Sequence, residues 1–530
     1  KRDDNQYFFR NCHILYGNDV NNSVKISEKE DNTMNVENGS LWINTVGLPC
    51  YPAWNGDREV DVAVIGGGLA GILTAHFLEQ AGRKCVVLEA DRIGSGQTKN
   101  TTAKVTSQHG LIYGKLMRTV GRDMAQQYAD ANREAIERYR ILIRKYGIEC
   151  EWETCGAYLY GTEKERELRE EYRAAVELGI SARMIDHPEK TELPFPVKKA
   201  LLFERQARFH PLKFLERILD GLEIYERTRV LRVDGRTLIT DRGSIKANQI
   251  VFATHYPFLN MPGYYFLRMH QERSYVIGLE HGPRIQNVYL GVDPNGLSLR
   301  QAGNFLLLGG GNHRTGDEKL GDPYEALKRA AEQYFPQASV RYAWSAQDCM
   351  TLDGIPYIGK FGKQTDHWFV ATGFQKWGMT TSMAAATILT DLMCGRKNRY
   401  ADVFSPQRKT MLASAKTFCE EGAYAVVNLT KELFAFPKEK LEDIRPGTGG
   451  TIEYEGKKVG VYKTEEEDFY FVSVKCPHLG CQLSWNQAEK SWDCPCHGSR
   501  YDYSGKLLDG PAQTASVACS LQDPVKGTDR

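Results

Sequence analysis

Four residues toward the end of the chain have the types and spacing of a mixed-ligand iron site. Cys476 and His478 form a C-x-H pair, and Cys494 and His497 form a C-x-x-H pair. Each segment supplies one thiolate and one imidazole. Two thiolates can hold one iron of a [2Fe–2S] cluster while two neutral imidazoles hold the other. Replacing thiolate charge in this way raises the potential to about −150 to +300 mV, against about −400 mV with four thiolates. The alternative is a zinc site, which generally uses C-x2–4-C and H-x3–5-H pairs. The mixed halves fit that pattern poorly, and zinc leaves Cys481 and Cys496 unexplained.

A second constellation lies far upstream. Val64-Ile65-Gly66-Gly67-Gly68-Leu69-Ala70-Gly71 is a G-x-G-x-x-G turn between a β-branched run and an apolar helical stretch. Gly66 permits the tight turn. Gly68 lets the backbone, with Leu69 and Ala70 at the helix start, approach a pyrophosphate, and Gly71 lets helix and strand pack. Glu89, followed by Ala90, ends the next strand at the distance where a carboxylate meets ribose hydroxyls. The turn alone does not separate NAD from FAD.

With these residues in view, 450–513 resembles the Rieske domain family, specifically its high-potential cytochrome-complex branch. The resemblance implies a Cys481–Cys496 disulfide tying the two cluster loops, a Ser499 hydrogen bond to a bridging sulfide, a Tyr501 bond to a ligand sulfur, and a covering proline loop at Gly510-Pro511-Ala512. Residues 58–400 resemble the D-amino-acid oxidase/glycine oxidase superfamily of FAD enzymes. The resemblance rests on the glycine turn, the Gly/Thr-rich loop Arg92–Gly110, the strand Ile250-Val251-Phe252-Ala253-Thr254 with His255 where Gly is usual, and the segments 351–359 and 371–380. The whole chain resembles bacterial FAD-dependent oxidoreductases with an appended Rieske domain. FAD contacts are then implied for Thr98, Val230 (at adenine), Ala253 and Thr254. Thr102, Ala103 and Lys104 on one side, and Gly373, Lys376, Trp377, Gly378 and Met379 on the other, are implied to line the isoalloxazine ring.

The same resemblance bears on the substrate. In amino-acid-oxidising relatives, an Arg following a Trp in the strand before D-G-x-P clamps the substrate carboxylate. By spacing from Trp344, Asp348 stands there. A carboxylate does not bind a carboxylate without protonation, so the expected substrate is a cationic amine rather than an α-amino acid. The other reading places Asp348 away from the substrate. Lys376 could stabilise a reduced, anionic flavin. Weaker candidates are His270, Arg273 and Tyr275, on a strand expected to face the flavin, where period-2 alternation puts Arg273 and Tyr275 on one face, and Arg314 after a glycine turn; a structural role is the alternative for each.

These residues need particular elements to position them. Val60–Ile65, a helix at Leu69–Ala81 and a strand at Cys85–Leu88 read as one βαβ unit. A long amphipathic helix is expected at Asp123–Tyr146, a hairpin turning at Asp241-Arg242-Gly243, and a small-residue helix at Met379–Met393. Past Gly447, short β-type runs predict a small all-β unit. The expected fold is α/β (α+β): a Rossmann-type FAD-binding domain, an interleaved antiparallel-sheet substrate domain and an all-β Rieske domain. The expected layout is a disordered tail at 1–39 and an oxidoreductase at 40–403. Its FAD-binding parts are 58–150, 200–258 and 346–400, and its substrate parts are 151–199 and 259–345. A connector at 404–447 leads to the Rieske domain at 448–519.

The 530-residue chain has a formal net charge of +1, which gives no electrostatic case for nucleic acid. No apolar run reaches the roughly 18 residues that cross a bilayer. Apart from the four at 476–496, the cysteines are scattered singly, as reduced core residues are. The opening segment has no signal-type apolar core, and the expected location is cytoplasmic. The leading expectation is an amine-oxidising enzyme passing electrons from flavin to cluster to an unknown acceptor. Reverse flow, a redox-sensing module, and an oxidase with a structural cluster remain as alternatives.

Overall fold

The computed structural model describes residues 36–317, 321–408, 437, 440–454 and 456–516. The expected tail lies outside these residues up to 35, as do most of the expected connector and the segment after Ser516. A short strand at Glu37–Asn38, ahead of the start expected at Ser40, pairs in parallel with Ser339–Thr351.

The glycine turn sits where its sequence predicts. Strand Arg58–Ile65 is exposed at its start and fully buried over Val62–Ile65. It lies between Cys85–Leu88 and Gly243–Phe252, in parallel with both. Trp368–Thr372 and Glu223–Tyr225 extend this parallel core within an eight-stranded sheet. Helix Leu69–Gln80 is buried along most of its length and packs on helix Gly378–Met393, where Ala384, Ala385 and Ala386 keep the contact close. The long helix runs Arg122–Tyr146, and the hairpin pairs Thr237–Thr240 with Gly243–Phe252.

A second, ten-stranded sheet is mainly antiparallel. Its longest strands are Met269–Glu280, Phe305–Arg314 and Ser339–Thr351, with Met269–Glu280 central to the three. Alternation divides its residues. Val276, Leu307, Tyr342 and Trp344 enter the core shared with the first sheet, whereas Tyr275, Ile277, Leu279 and Leu308 pack in a separate core with Leu327 and Ala331 of helix Pro323–Tyr334. Strand Lys199–Arg208 also belongs to this sheet, because it pairs with Glu153–Gly161. This departs from the expectation that residues from 200 onward join the FAD-binding unit. Backbone pairing likewise draws Lys104–Val105 and the 346–351 stretch into the larger sheet.

The C-terminal region is all-β. A three-stranded sheet (Gly449–Tyr454, Lys457–Lys463, Phe469–Ser473) accompanies a four-stranded one (Ser484–Asn486, Ser491–Asp493, Arg500–Asp502, Leu507–Asp509). Among the described residues, no helix is long and apolar enough to cross a membrane.

Candidate functional site: a flavin cradle and a cluster cage on two faces of one sheet

The cluster motif forms a compact cage. Cys476 and Cys494 are free and buried. Cys481 and Cys496 form a disulfide, and the Cys494 sulfur lies within 4.8 Å of theirs. The His478 and His497 rings are 4.9 Å apart and nearly perpendicular. Both Nδ1 atoms are buried without a hydrogen-bond partner. His478 Nε2 lies 2.7 Å from Asn260 Oδ1. An amide oxygen only accepts, so Nε2 carries the hydrogen and the Nδ1 lone pair is left for a metal. Two buried thiols and two orphaned imidazole nitrogens fit a mixed-ligand [2Fe–2S] cluster. Tyr501 Oη lies 3.8 Å from Cys476 Sγ. Ser499 Oγ accepts from Ala512 N at 3.0 Å, and its hydroxyl also meets Cys476 and Tyr501.

The glycine turn forms a cradle with one open side. A Cβ on Gly66 would lie 2.4 Å from the Ala253 carbonyl oxygen, and one on Gly71 2.0 Å from that of Gly66. Packing therefore accounts for both glycines. At Gly68 a Cβ would meet the Thr98 hydroxyl alone, at 3.3 Å, with no backbone against it. Thr98 Oγ1 accepts from Leu69 N at the helix start. Glu89 accepts from the Gly67 and Asp91 amides, and burial pushes its carboxyl pKa up. Residues 227 and 228 bond back to the Asp91 and Glu89 carbonyls, and Val230, two residues on, is buried. Ala253 N bonds Ile65 O, so Ala253 and Thr254 emerge beside the turn. This arrangement fits FAD.

Between these two centres stand strands Met269–Glu280 and Ser339–Thr351. Their inner face meets the segments expected at the flavin. Trp344 Nε1 donates to Asn100 O at 3.0 Å. Lys376 lies 3.1 Å from Asp348 and 3.2 Å from Glu272. Ser274 donates to Asp348 at 3.0 Å, and His270 lies 3.6 Å from Glu272. Burial opposes the Lys376 charge, but Asp348 and Glu272 outweigh it and raise its pKa. Burial also pushes Glu272 up, but His270 and Lys376 pull it down to about 2. Lys104, at the start of the short strand Lys104–Val105, bonds the Thr102 and Ser298 hydroxyls. Burial, assisted by Arg300, lowers its pKa to about 7. Ala103 takes a positive φ of 51°. On the far side, Gly373 also has positive φ, Trp377 stacks on His109 at 4.7 Å, and Gly378 and buried Met379 begin the following helix.

The outer face of the same strands carries the C-terminal domain. Gln271 Nε2 donates to the His497 carbonyl at 2.7 Å and the Gly510 carbonyl at 3.1 Å. Gln347 Nε2 donates to the Gly498 carbonyl at 2.8 Å. Arg314 donates to the Pro495 carbonyl. Arg273 pairs with Glu489 at 2.7 Å. Asn486 reaches the Tyr275 hydroxyl at 3.5 Å, and Tyr275 stacks on His313. Arg273 and Tyr275 do share a face, but it is the outer one. The expectation that they face the flavin is corrected: alternation gives the inner positions to His270, Glu272 and Ser274. Asp348 is on the inner face as expected, though bound to Lys376 rather than free.

Residues 61–392, well over half the chain, match the family described as FAD dependent oxidoreductase. The chain belongs to this family. Residues 435–522 match the Rieske [2Fe-2S] domain. The oxidoreductase part binds FAD and the Rieske domain binds a [2Fe–2S] cluster, so the chain is an FAD-dependent oxidoreductase. Over 494 residues the chain is 37% identical to the Rieske 2Fe-2S iron-sulfur protein YhfW of Bacillus subtilis (strain 168), covering 89% of this chain and 96% of that protein. It is 24% identical to gamma-glutamylputrescine oxidoreductase of Escherichia coli (strain K12), covering 67% and 88%. Among solved structures, glycine oxidase from Geobacillus kaustophilus superposes with a TM-score of 0.57 at 20% identity, covering 66% of this chain and 99% of that one. The family resemblance, the fold class and both cofactors expected from sequence agree with these matches.

Sequence reasoning missed Asn260, Glu272, Gln271, Gln347 and Glu489. Glu272 was within reach, because it alternates with the candidates Arg273 and Tyr275. The others carry no motif, since their roles arise only where the two domains meet.

Proposed function

We propose that the enzyme oxidises an amine and passes the electrons through the Rieske cluster to a separate acceptor. The observation that carries this reading is the two-faced wall. Lys376, Asp348 and Glu272 stand on its inner face, and Gln271 and Gln347 hold the cluster loop on its outer face. These strands lie between the two sets of residues, and Gln97, next to Thr98, also donates to Asp509 of the C-terminal domain at 3.3 Å. When bound, FAD supplies a two-electron acceptor and the cluster a one-electron relay.

The chain's own residues divide the remaining work. Cys476, Cys494, His478 and His497 would ligate the cluster. Gly66, Gly68, Leu69, Ala70, Gly71, Glu89, Ala90, Thr98, Val230, Ala253 and Thr254 would hold the nucleotide end of FAD. Thr102–Lys104 and Gly373–Met379 would flank its ring. Asp348 and Glu272, set beside Lys376 and His270, give the inner face carboxylates that a cationic amine can meet. Lys104, with a pKa near 7, can take a proton from the arriving ammonium so that the amine is neutral at the ring. Gamma-glutamylputrescine oxidoreductase, one of the relatives, carries an amine in its substrate's name. The domain layout follows: an oxidoreductase to about 403, a connector, and the Rieske domain from about 448.

The test is an anaerobic titration of the holoenzyme with primary and secondary amines, following flavin and cluster absorbance together. Flavin bleaching followed by cluster reduction is expected. Bleaching with an unchanged cluster would sink the relay, and no bleaching by any amine would sink the substrate class.

A further inference from the structure

The cluster cage is sealed on most sides. Cys494, Cys476 and His497 are 0%, 2% and 7% exposed. Gln271 covers His497 at its carbonyl, and Phe266 packs edge-on against its ring at 5.9 Å. His478 is the ligand that stays partly exposed, and the surface around it is unusual. Met261 is 66% exposed, Leu267 49%, Tyr264 47% and Leu479 43%. Leu479 adjoins His478 in sequence. The other three lie on the oxidoreductase loop whose Asn260 bonds His478. Tyr264 N bonds Asn260 O, its hydroxyl approaches Met261 sulfur at 3.6 Å, and Leu267 N bonds Tyr264 O. Three exposed apolar side chains on the loop that bonds His478, and Leu479 next to it in sequence, thus share the surface at the one partly open cluster ligand.

We propose that this collar is the docking surface for the electron acceptor, and that the acceptor is a small one-electron carrier protein with an apolar rim around its own redox group. The proposal rests on outward electron flow through the cluster. One electron leaves the cluster and one enters the carrier, and no bond is made or broken. The patch is continuous with the interface that already joins the two domains at Asn260–His478 and Phe266–His497. Its four side chains project outward, whereas small-molecule sites are concave and bury about 70–90% of their ligand. A second copy of this chain, docked patch to patch, would place two equal clusters face to face and give the electrons no exit. A small apolar contact also suits a transient electron-transfer encounter, which sits at the low end of interface sizes.

The holoenzyme, reduced anaerobically with dithionite, is mixed in a stopped-flow instrument with horse-heart cytochrome c, with ferricyanide, or with menadione. Wild type is compared with Met261→Ser, Leu479→Ser and the double variant. Ile141→Ser, on a distant exposed helix position, serves as control. The double variant is expected to reduce cytochrome c about tenfold more slowly, with ferricyanide and menadione rates unchanged and the control like wild type. An unchanged cytochrome c rate, or no cytochrome c reduction by wild type, overturns the proposal. Slowing confined to menadione overturns it in favour of a small quinone. Dithionite loads the electrons independently of any amine, so a failure of the amine reading appears in the titration above and not here.

Discussion

Glu489 is a single carboxylate on which the seam between the two domains converges, and its removal has a calculable effect. It comes from the Rieske domain and contacts Arg273, Ser345 and Tyr324 of the oxidoreductase at 2.7 Å each. It also bonds Arg500 of its own domain at 3.2 Å. Burial pushes its pKa up, but Arg273 and Arg500 outweigh burial and hold it at about 2. The gap from the ordinary 4.5, at about 1.4 kcal/mol per pH unit, is worth about 3 kcal/mol. The folded value is below the unfolded one, so this contribution is complete above about pH 4.5 and fades as pH falls through about 2. Breaking a buried pair by removing one partner costs about 3–5 kcal/mol, because the remaining charge is stranded. The two figures agree. With a urea slope of about 2 kcal/mol/M, Glu489→Ala should lower the midpoint for loss of cluster absorbance at pH 7 by about 1.5 M. The double variant Arg273→Met/Glu489→Met, which strands no charge across the seam, should recover part of that loss. A shift below about 0.3 M for Glu489→Ala would refute the claim that this ion pair carries the seam.

Three further outcomes follow from the two centres. Gly68→Ala should weaken FAD binding by about 10-fold while far-ultraviolet circular dichroism of the flavin-free protein stays as in wild type, since the added Cβ meets only the Thr98 hydroxyl, at 3.3 Å; flavin retention on gel filtration checks this. Cys494→Ser should remove the visible cluster spectrum and leave the flavin spectrum intact, because the flavin cradle lies across the sheet. Lys376→Met should slow amine-driven flavin bleaching by about 100- to 1,000-fold. It also removes one of the two groups that hold Glu272 down: His270 stays in place, so its pKa rises from about 2 without being fully released, and the acid limb of the pH–rate profile moves up in pH. An unmoved acid limb would show that Glu272 is not part of the charged cluster.

Local chemistry was legible in the sequence wherever the motif and its function occupy the same few residues. The turn at Gly66–Gly71 is dictated by contacts within its own βαβ unit, and the structure puts the helix start at Leu69. Cys476–His478 and Cys494–His497 are likewise two short loops whose spacing alone brings the ligands together. Arg273 and Tyr275 show where this kind of inference stops. Period-2 alternation correctly put them on one face, but which face turns inward is decided by the layer packed on each side. Here that layer includes Glu489 and Asn486, more than 200 residues away in sequence. The grouping of Lys199–Arg208 failed for the same reason, since a strand joins the sheet that offers it a hydrogen-bonding edge.

The seam also bears on how the proposed relay would keep its geometry. A domain tethered by a linker gains effective concentration, but the linker alone does not fix a distance. The contacts at this seam do. Gln271 and Gln347 donate to the carbonyls of His497, Gly498 and Gly510, which are backbone groups of the cluster loop and the covering proline loop. Gln347 also donates to Gln271, so the two amides brace one another. On the opposite face of the same strands, one residue along, Glu272 and Asp348 hold Lys376. The register between residues 271–272 and 347–349 therefore sets the spacing of both centres at once. A slip of one residue would exchange the faces, sending carboxylates toward the cluster loop and amides toward the flavin. In the proposed relay, the separation between flavin and cluster is set by this strand pairing.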